Sequence, residues 1–279
     1  MEILFLGTAA ATSVPLAFCN CPACKAGRKN GGKDLRRRSS VLIDGKLLID
    51  LGPDFMSASF AFGFDSAGIE YLLQTHSHSD HFDAGHMITR IADYATEDLV
   101  PMTVAASKEC LAHMSEKLGR EEGGATLLEQ SWQDRLGVDI IEMAHGKRVK
   151  LGEYEVIAVE SAHDVDDGSL MYIVRRGKAA FFYACDTPLL TDRAWKLLES
   201  LDFEISAAAI DQCYGPGTPG GGHMHADQAA ECVKRLGCKK VYATHISHEG
   251  TLPHEELEKW TRERGYGVAW DGMKIILEE

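Results

Sequence analysis

His76-Ser77-His78-Ser79-Asp80-His81 places three imidazoles and one carboxylate within six residues. Imidazole is the commonest protein ligand of transition metals, and carboxylates complete such sites. The preceding run, Ile69-Glu70-Tyr71-Leu72-Leu73-Gln74-Thr75, is largely apolar and reads as a strand entering a loop. A loop at a strand end can turn several side chains towards one point. The bland alternative is a polar loop that happens to be rich in His; four ligand-type residues in six positions argue against it.

Further donors follow other strand-like runs. His163 comes just after Tyr154-Glu155-Val156-Ile157-Ala158-Val159, Asp186 ends the run from Ala179 to Cys185, and His245 follows Lys240-Val241-Tyr242-Ala243-Thr244. Singly, each reads as a hydrogen-bonded loop residue. Together with the first motif, in this order, they resemble the metallo-β-lactamase superfamily. That resemblance implies an α/β (α+β) fold, the four-layer αββα sandwich. It also implies a division of labour: His76, His78 and His163 on one metal, Asp80, His81 and His245 on the other, and Asp186 bridging. Mononuclear relatives often put another residue at the place of His81, so its presence favours two ions. Two ions roughly 3.5–4 Å apart can share a hydroxide and clamp a phosphoryl oxygen. Asp80 is expected to orient that hydroxide as well as to hold its metal.

Cys19-Asn20-Cys21-Pro22-Ala23-Cys24 packs three thiols into six residues. Thiolates suit zinc, and structural zinc is almost always four-coordinate, so one ligand is missing from this knuckle. A disulfide would leave an odd thiol. The knuckle, followed by Asp34-Leu35-Arg36-Arg37-Arg38-Ser39-Ser40, resembles the cyclic phosphodiesterase branch of the superfamily, which includes the phosphoribosyl 1,2-cyclic phosphate phosphodiesterases of carbon–phosphorus lyase metabolism. There the fourth zinc ligand lies three residues after the last active-site His, which is His248 here; His225 and His254 are the rivals. A quinone-cofactor biosynthesis protein resembles the knuckle too. The stretch Lys25–Arg38 carries seven basic residues against one acid, and reads first as a solvated loop over the knuckle, second as a phosphate-steering patch.

Gly222-His223-Met224-His225 follows the glycine-rich Gly215–Gly222 stretch, which reads as a mobile loop near the site. In the phosphodiesterase branch a His in this motif protonates the leaving oxygen, and His223 is the match. A positioned acid contributes about 10²–10⁴-fold. Asp164 and Asp211 are candidate partners for the metal-binding histidines. The implied reaction is hydrolysis of a small, cyclic phosphodiester by a binuclear metal site of Zn, Mn or Fe, with one structural Zn besides.

The chain has 279 residues, 29 basic and 42 acidic, for a net charge of −13. Such a field disfavours nucleic acid and anionic membrane as partners, without excluding a small anionic substrate beside two cations. A homodimer is compatible with the sequence. The donors span His76 to His245, so one domain over residues 1–279 is expected, with the knuckle inserted at about 17–38. No apolar stretch approaches the ~20 residues that span a bilayer, and Met1–Gly7 lacks a basic signal-peptide start, so a cytoplasmic location is expected. Cys110, Cys185, Cys213, Cys232 and Cys238 show no framework spacing and read as reduced thiols.

The chain otherwise reads as a first strand over Glu2–Leu6, a hairpin over Val41–Asp50 turning at Asp44-Gly45, and a helix from Phe82 to Tyr94. A strand at 102–105 precedes a helix at 107–118 capped by Ser107. Strands are expected at Val138–Glu142, Val149–Val159, Leu170–Val174 and Glu204–Ile210. Helices are expected at 190–201, at 226–236 stopped by Gly237, and at 253–264. Val241–Thr244 and a run near Lys274–Leu277 complete the strands.

Three other functions compete on this scaffold. A tRNA 3′-processing endonuclease shares the ligand set but grips tRNA with a basic arm that is not evident here. An ester, thioester or lactone hydrolase would not need His223. A non-catalytic cofactor-biosynthesis protein could dispense with ligands that this chain keeps.

Overall fold

The computed structural model describes residues 1–95 and 97–278. Its first sheet contains β1 (Glu2–Gly7), β2 (Ser40–Ile43), β3 (Leu47–Ile49), β4 (Tyr71–Leu73), β5 (Met102–Ser107) and β6 (Val138–Met143) in that spatial order. The second contains β7 (Arg148–Leu151), β8 (Tyr154–Glu160), β9 (Leu170–Arg176), β10 (Ala179–Ala184), β11 (Ala207–Asp211), β12 (Val241–Thr244) and β13 (Gly267–Val268), also side by side. The last strand, β14 (Lys274–Ile276), returns to the first sheet and pairs antiparallel with β1. Both sheets are mixed: β3 to β6 and β10 to β13 run parallel, the remainder antiparallel.

Strand side chains alternate between faces, and here both faces are buried. Ile3 and Phe5 enter the core between the sheets with Tyr154, Tyr172, Phe181 and Tyr183. Their neighbours Leu4 and Leu6 face outwards, beneath α2 (Phe55–Phe62), α3 (Ala84–Ile88), α4 (Lys108–Glu121) and α5 (Gln130–Leu136). The outer face of the second sheet packs against α6 (Asp192–Glu199) and α7 (Ala226–Leu236), joined by Trp260 of α8 (His254–Arg262). Phe5 meets Phe181 edge to face across the sheets, with ring centroids 6.4 Å apart. Each such side chain, fully removed from water, contributes about 1.5–3 kcal/mol. Helix, sheet, sheet, helix is the four-layer αββα arrangement expected from the motifs.

The hairpin turns where expected, with Asp44 and Gly45 both in left-handed backbone (φ 51° and 71°). Ser107 caps α4 by accepting from the Cys110 amide at 3.1 Å, and Gly237 ends α7 at φ 64°. The expected helix from Phe82 to Tyr94 is shorter. It stops at Ile88, where the Thr89 hydroxyl donates to the His86 carbonyl at 2.7 Å and the next amides bond three residues back. Arg90 is then drawn to the carbonyls of Leu136, Val100 and Gly137. The run Val149–Val159 is two strands, folded back at Gly152 (φ 54°). Helices α2 and α5, and the knuckle helix α1 (Pro22–Asn30), were not expected. The sequence of α2, Phe-Met-Ser-Ala-Ser-Phe-Ala-Phe, is apolar almost all round and shows no helical stripe to read.

Lys25–Arg38 begins as the exposed face of α1 and not as a loop, and its last three arginines are engaged inwards. Arg36 is buried and donates to Thr8 Oγ1, the Ala269 carbonyl and His254 Nδ1, while Arg37 and Arg38 pair with Asp271 and Asp54. The arginines stitch this segment to its neighbours. No helix among the described residues is long and apolar enough to cross a membrane.

Candidate metal centre

Strands from both sheets end at one edge of the sandwich. The loop His76–His81 follows β4, His163 follows β8, Asp186 follows β10 and His245 follows β12. Asp186 and His245 adopt left-handed backbone (φ 54° and 58°). That conformation costs a side-chain-bearing residue about 1–3 kcal/mol and persists where surrounding structure enforces it. Here it turns both side chains inwards.

Two donor groups result. In the first, one ligand atom from each of His76, His78, His163 and Asp186 lies within 4.8 Å of the others; in the second, the same holds for Asp80, His81, Asp186 and His245. Asp186 belongs to both. Its Oδ2 lies 3.2 Å from His76 Nε2, 3.1 Å from His81 Nε2 and 3.4 Å from His245 Nε2, and its Oδ1 lies 3.1 Å from His163 Nδ1. Yet the three Nε2 atoms and Asp186 Oδ1 are buried without a hydrogen-bond partner. A buried polar atom left unmatched costs about 1–3 kcal/mol. Lone pairs that converge without pairing, from imidazole and carboxylate, fit divalent cations. The seven donors assigned from the sequence are thus brought together, four on the first group and three more on the second.

The electrostatics follow from this crowding. Burial opposes ionisation of Asp186 and Asp80, but the adjacent imidazoles overcome it and hold both carboxyls well below the usual range. Burial likewise opposes charge on His81 and His245, and their carboxylate neighbours raise both well above the ordinary imidazole value. Protons there occupy lone pairs that a cation would otherwise take.

Around the donors sits a ring of orienting groups. Asp164 Oδ2 is 3.0 Å from His78 Nε2, which leaves Nδ1 for the site. Asp211, fully buried, lies 3.1 Å from His223 Nδ1 and 3.2 Å from His245 Nδ1. Asp50 and Gln74 were missed. Asp50 Oδ2 takes His81 Nδ1 at 2.7 Å, and the Gln74 amide reaches the carbonyls of His76 and His81 at 2.8 and 2.9 Å. Asp50 follows β3 in left-handed backbone (φ 68°). A hairpin ending in Asp carries no sequence signal for this role; an Asp after a strand on the metal side is the only hint. Gly52 lies so near the motif loop that a Cβ there would sit 2.5 Å from the Asp80 carbonyl.

His223 Nδ1 lies 3.0 Å from Asp186 Oδ1. Burial disfavours its charged form, but the adjacent carboxylates of Asp186 and Asp211 raise its pKa to about 10. With Nδ1 engaged, Nε2 is the ring nitrogen able to pass a proton.

At the knuckle, Cys19, Cys21, Cys24 and His248 form a third donor group. His248 Nδ1 lies 3.6 Å from Cys19 Sγ and 3.4 Å from Cys21 Sγ. Amides of Cys21, Cys24 and Leu16 point at the three sulfurs, as they would at thiolates. All eight cysteines are free. The rivals lie elsewhere: His225 precedes α7 with Nδ1 3.8 Å from Asp227, and His254 Nδ1 accepts from Arg36 at 2.9 Å.

A family model described as the beta-lactamase superfamily domain matches residues 46–246. The chain belongs to that superfamily. It carries the His/Asp donor clusters of a metal-dependent hydrolase of the metallo-β-lactamase fold. Among solved structures it is similar to a diphosphatase from the PhnP family, at 23% identity and a TM-score of 0.72, over 98% of this chain and 96% of that one. It is similar to zinc-bound PqqB from Methylobacterium extorquens at 17% identity and a TM-score of 0.76, over 99% and 100%. Human tRNase Z, short form, gives 17% identity and 0.66 over the whole of both chains. At these identities the likeness establishes the fold. No curated protein sequence matches the chain.

Proposed function

We propose that the protein is a binuclear metal-dependent phosphodiesterase acting on a small, cyclic phosphodiester. The observation that carries this reading is Asp186, which stands in both donor groups and also faces His223. His76, His78 and His163 would hold one ion, Asp80, His81 and His245 the other, and Asp186 both. Bound divalent ions supply a water that ionises near neutral pH and draw charge from phosphoryl oxygens. Asp80 would help hold the second ion and orient the attacking water. His223, its Nδ1 fixed by Asp211, delivers a proton from Nε2 to the departing alkoxide, which is a poor leaving group without one. The His78 side chain is 44% exposed, the most open of the first donor group. The Cys19, Cys21, Cys24 and His248 group would take a structural zinc. The net charge of −13 favours a small anion drawn to cations over a long polyanion such as tRNA.

The test is hydrolysis of bis-p-nitrophenyl phosphate and of ribose cyclic phosphates by protein reconstituted with Mn²⁺ or Zn²⁺, alongside a precursor tRNA. Turnover of the cyclic diester with the tRNA left intact is expected. If reconstituted protein turns over no phosphodiester, the reading is wrong.

A further inference from the structure

The motif loop is gripped from outside by a helix that contributes no metal donor. His113 and Lys117 of α4 lie one turn apart on the same face, next to the stripe of Cys110, Leu111, Met114 and Leu118 that packs beneath the first sheet. The Lys117 ammonium donates to the Ser77 carbonyl. The Ser77 amide donates to Asp167 Oδ2. Asp167 is buried; its Oδ1 accepts from His113 Nδ1 at 2.5 Å, and its carbonyl accepts from Ser107 Oγ at 3.2 Å. Its own amide donates to Asp164 Oδ1 at 3.1 Å, and Asp164 Oδ2 is the partner of His78 Nε2. Ser77 stands between His76 and His78. The peptide on its His76 side is therefore held by its N–H, and the peptide on its His78 side by its C=O.

Rotation of either peptide would swing an imidazole out of the first donor group. The second group is braced differently, through Asp50 on His81 and Asp211 on His245. We propose that Lys117 and Asp167 are positioning residues for the first metal position, the one formed by His76, His78 and His163. This rests on the two-ion reading above.

The test is Zn²⁺ binding to the full chain, followed by competition with a chromogenic chelator and by elemental analysis. Lys117→Met, which keeps the packed stem, and Asp167→Asn should each weaken one of the two active-site ions about 10–100-fold, the usual effect of losing an orienting partner. The other ion and the knuckle zinc should stay at wild-type affinity. Lys117→Arg should restore binding, and Glu116→Gln, exposed on the same helix, should change nothing. Wild-type affinity in both variants overturns the proposal. So does equal weakening of both active-site ions with a lower melting temperature of the metal-free protein, since that marks a general structural role. Wild-type protein that takes fewer than two active-site ions sinks the reading beneath. Wild-type protein that binds both ions yet cleaves no phosphodiester sinks only the proposed activity.

Discussion

Asp50 Oδ2 lies 2.7 Å from His81 Nδ1, and both side chains are wholly buried. The pair fixes which imidazole nitrogen faces the site: Nδ1 is engaged, and Nε2 is left for the second donor group. Asp50 also accepts from the Thr75 amide at 2.9 Å and its hydroxyl at 2.8 Å, so the same carboxylate anchors the end of β4. Asp50→Asn keeps the shape and removes the charge. We expect it to lower affinity for the second ion about 10–100-fold while the first is retained, as read by equilibrium dialysis against Zn²⁺. Unchanged affinity for both ions would show that Asp50 serves only the loop.

His223→Ala should separate substrates by leaving group. With an alkoxide leaving group kcat should fall by about 10²–10⁴; with p-nitrophenolate, which departs without a proton, it should fall by less than about tenfold. Equal losses on both would assign His223 to substrate binding, and no loss on either would show that His223 is not the proton donor.

Cys24→Ser should remove one zinc per chain and leave the active-site ions in place. Cys24 is buried beneath the knuckle, so the melting temperature should drop, by roughly 2–4 °C for each kcal/mol lost in a chain of this size. Elemental analysis and calorimetry check both halves. Full zinc content in the variant would relocate the structural site.

His254 gives a pH signature away from the metals. Burial, then the charges of Arg36 and Lys33, depress its pKa from 6.5 to about 3. Above pH 6.5 neither folded nor unfolded chain is protonated there, and the fold keeps its full stability. Between about 6.5 and 3 the unfolded chain takes up a proton that the folded chain refuses, so stability falls with pH. Asp271, raised to about 6 by burial, pulls the other way in part of that window. The difference between wild type and His254→Gln isolates the histidine: the variant's melting temperature should fall less from pH 7.5 to 5. Parallel curves would contradict the assignment.

The donors were legible because imidazoles and carboxylates at strand ends are chemically conspicuous. His76 to His81 announces itself, and His163, Asp186 and His245 gain meaning from order. Asp50, Gln74, Lys117 and Asp167 were not legible. They act through hydrogen bonds, several of which join distant segments, such as Gln74 to Asp50 and Ser77 to Asp167, and an Asp or Gln of that kind looks the same in any polar loop. That His248 and not His225 stands beside the three thiols follows from a turn that sequence spacing could suggest but not draw. The short α3 and the unforeseen α2 have local causes: a threonine hydroxyl that ends one helix, and an all-apolar segment that hides the period of the other.

The donors come from opposite layers, with His76–His81 on the first sheet and His163, Asp186 and His245 on the second. A cation held there would act as a rivet through the seam, ligated only when the two halves of the sandwich are pressed together. Binding would then draw the unfolding equilibrium towards the closed form by RT ln(1 + [L]/Kd). Neither half expressed alone would carry a complete pocket, and chelation should loosen the seam before it melts either sheet.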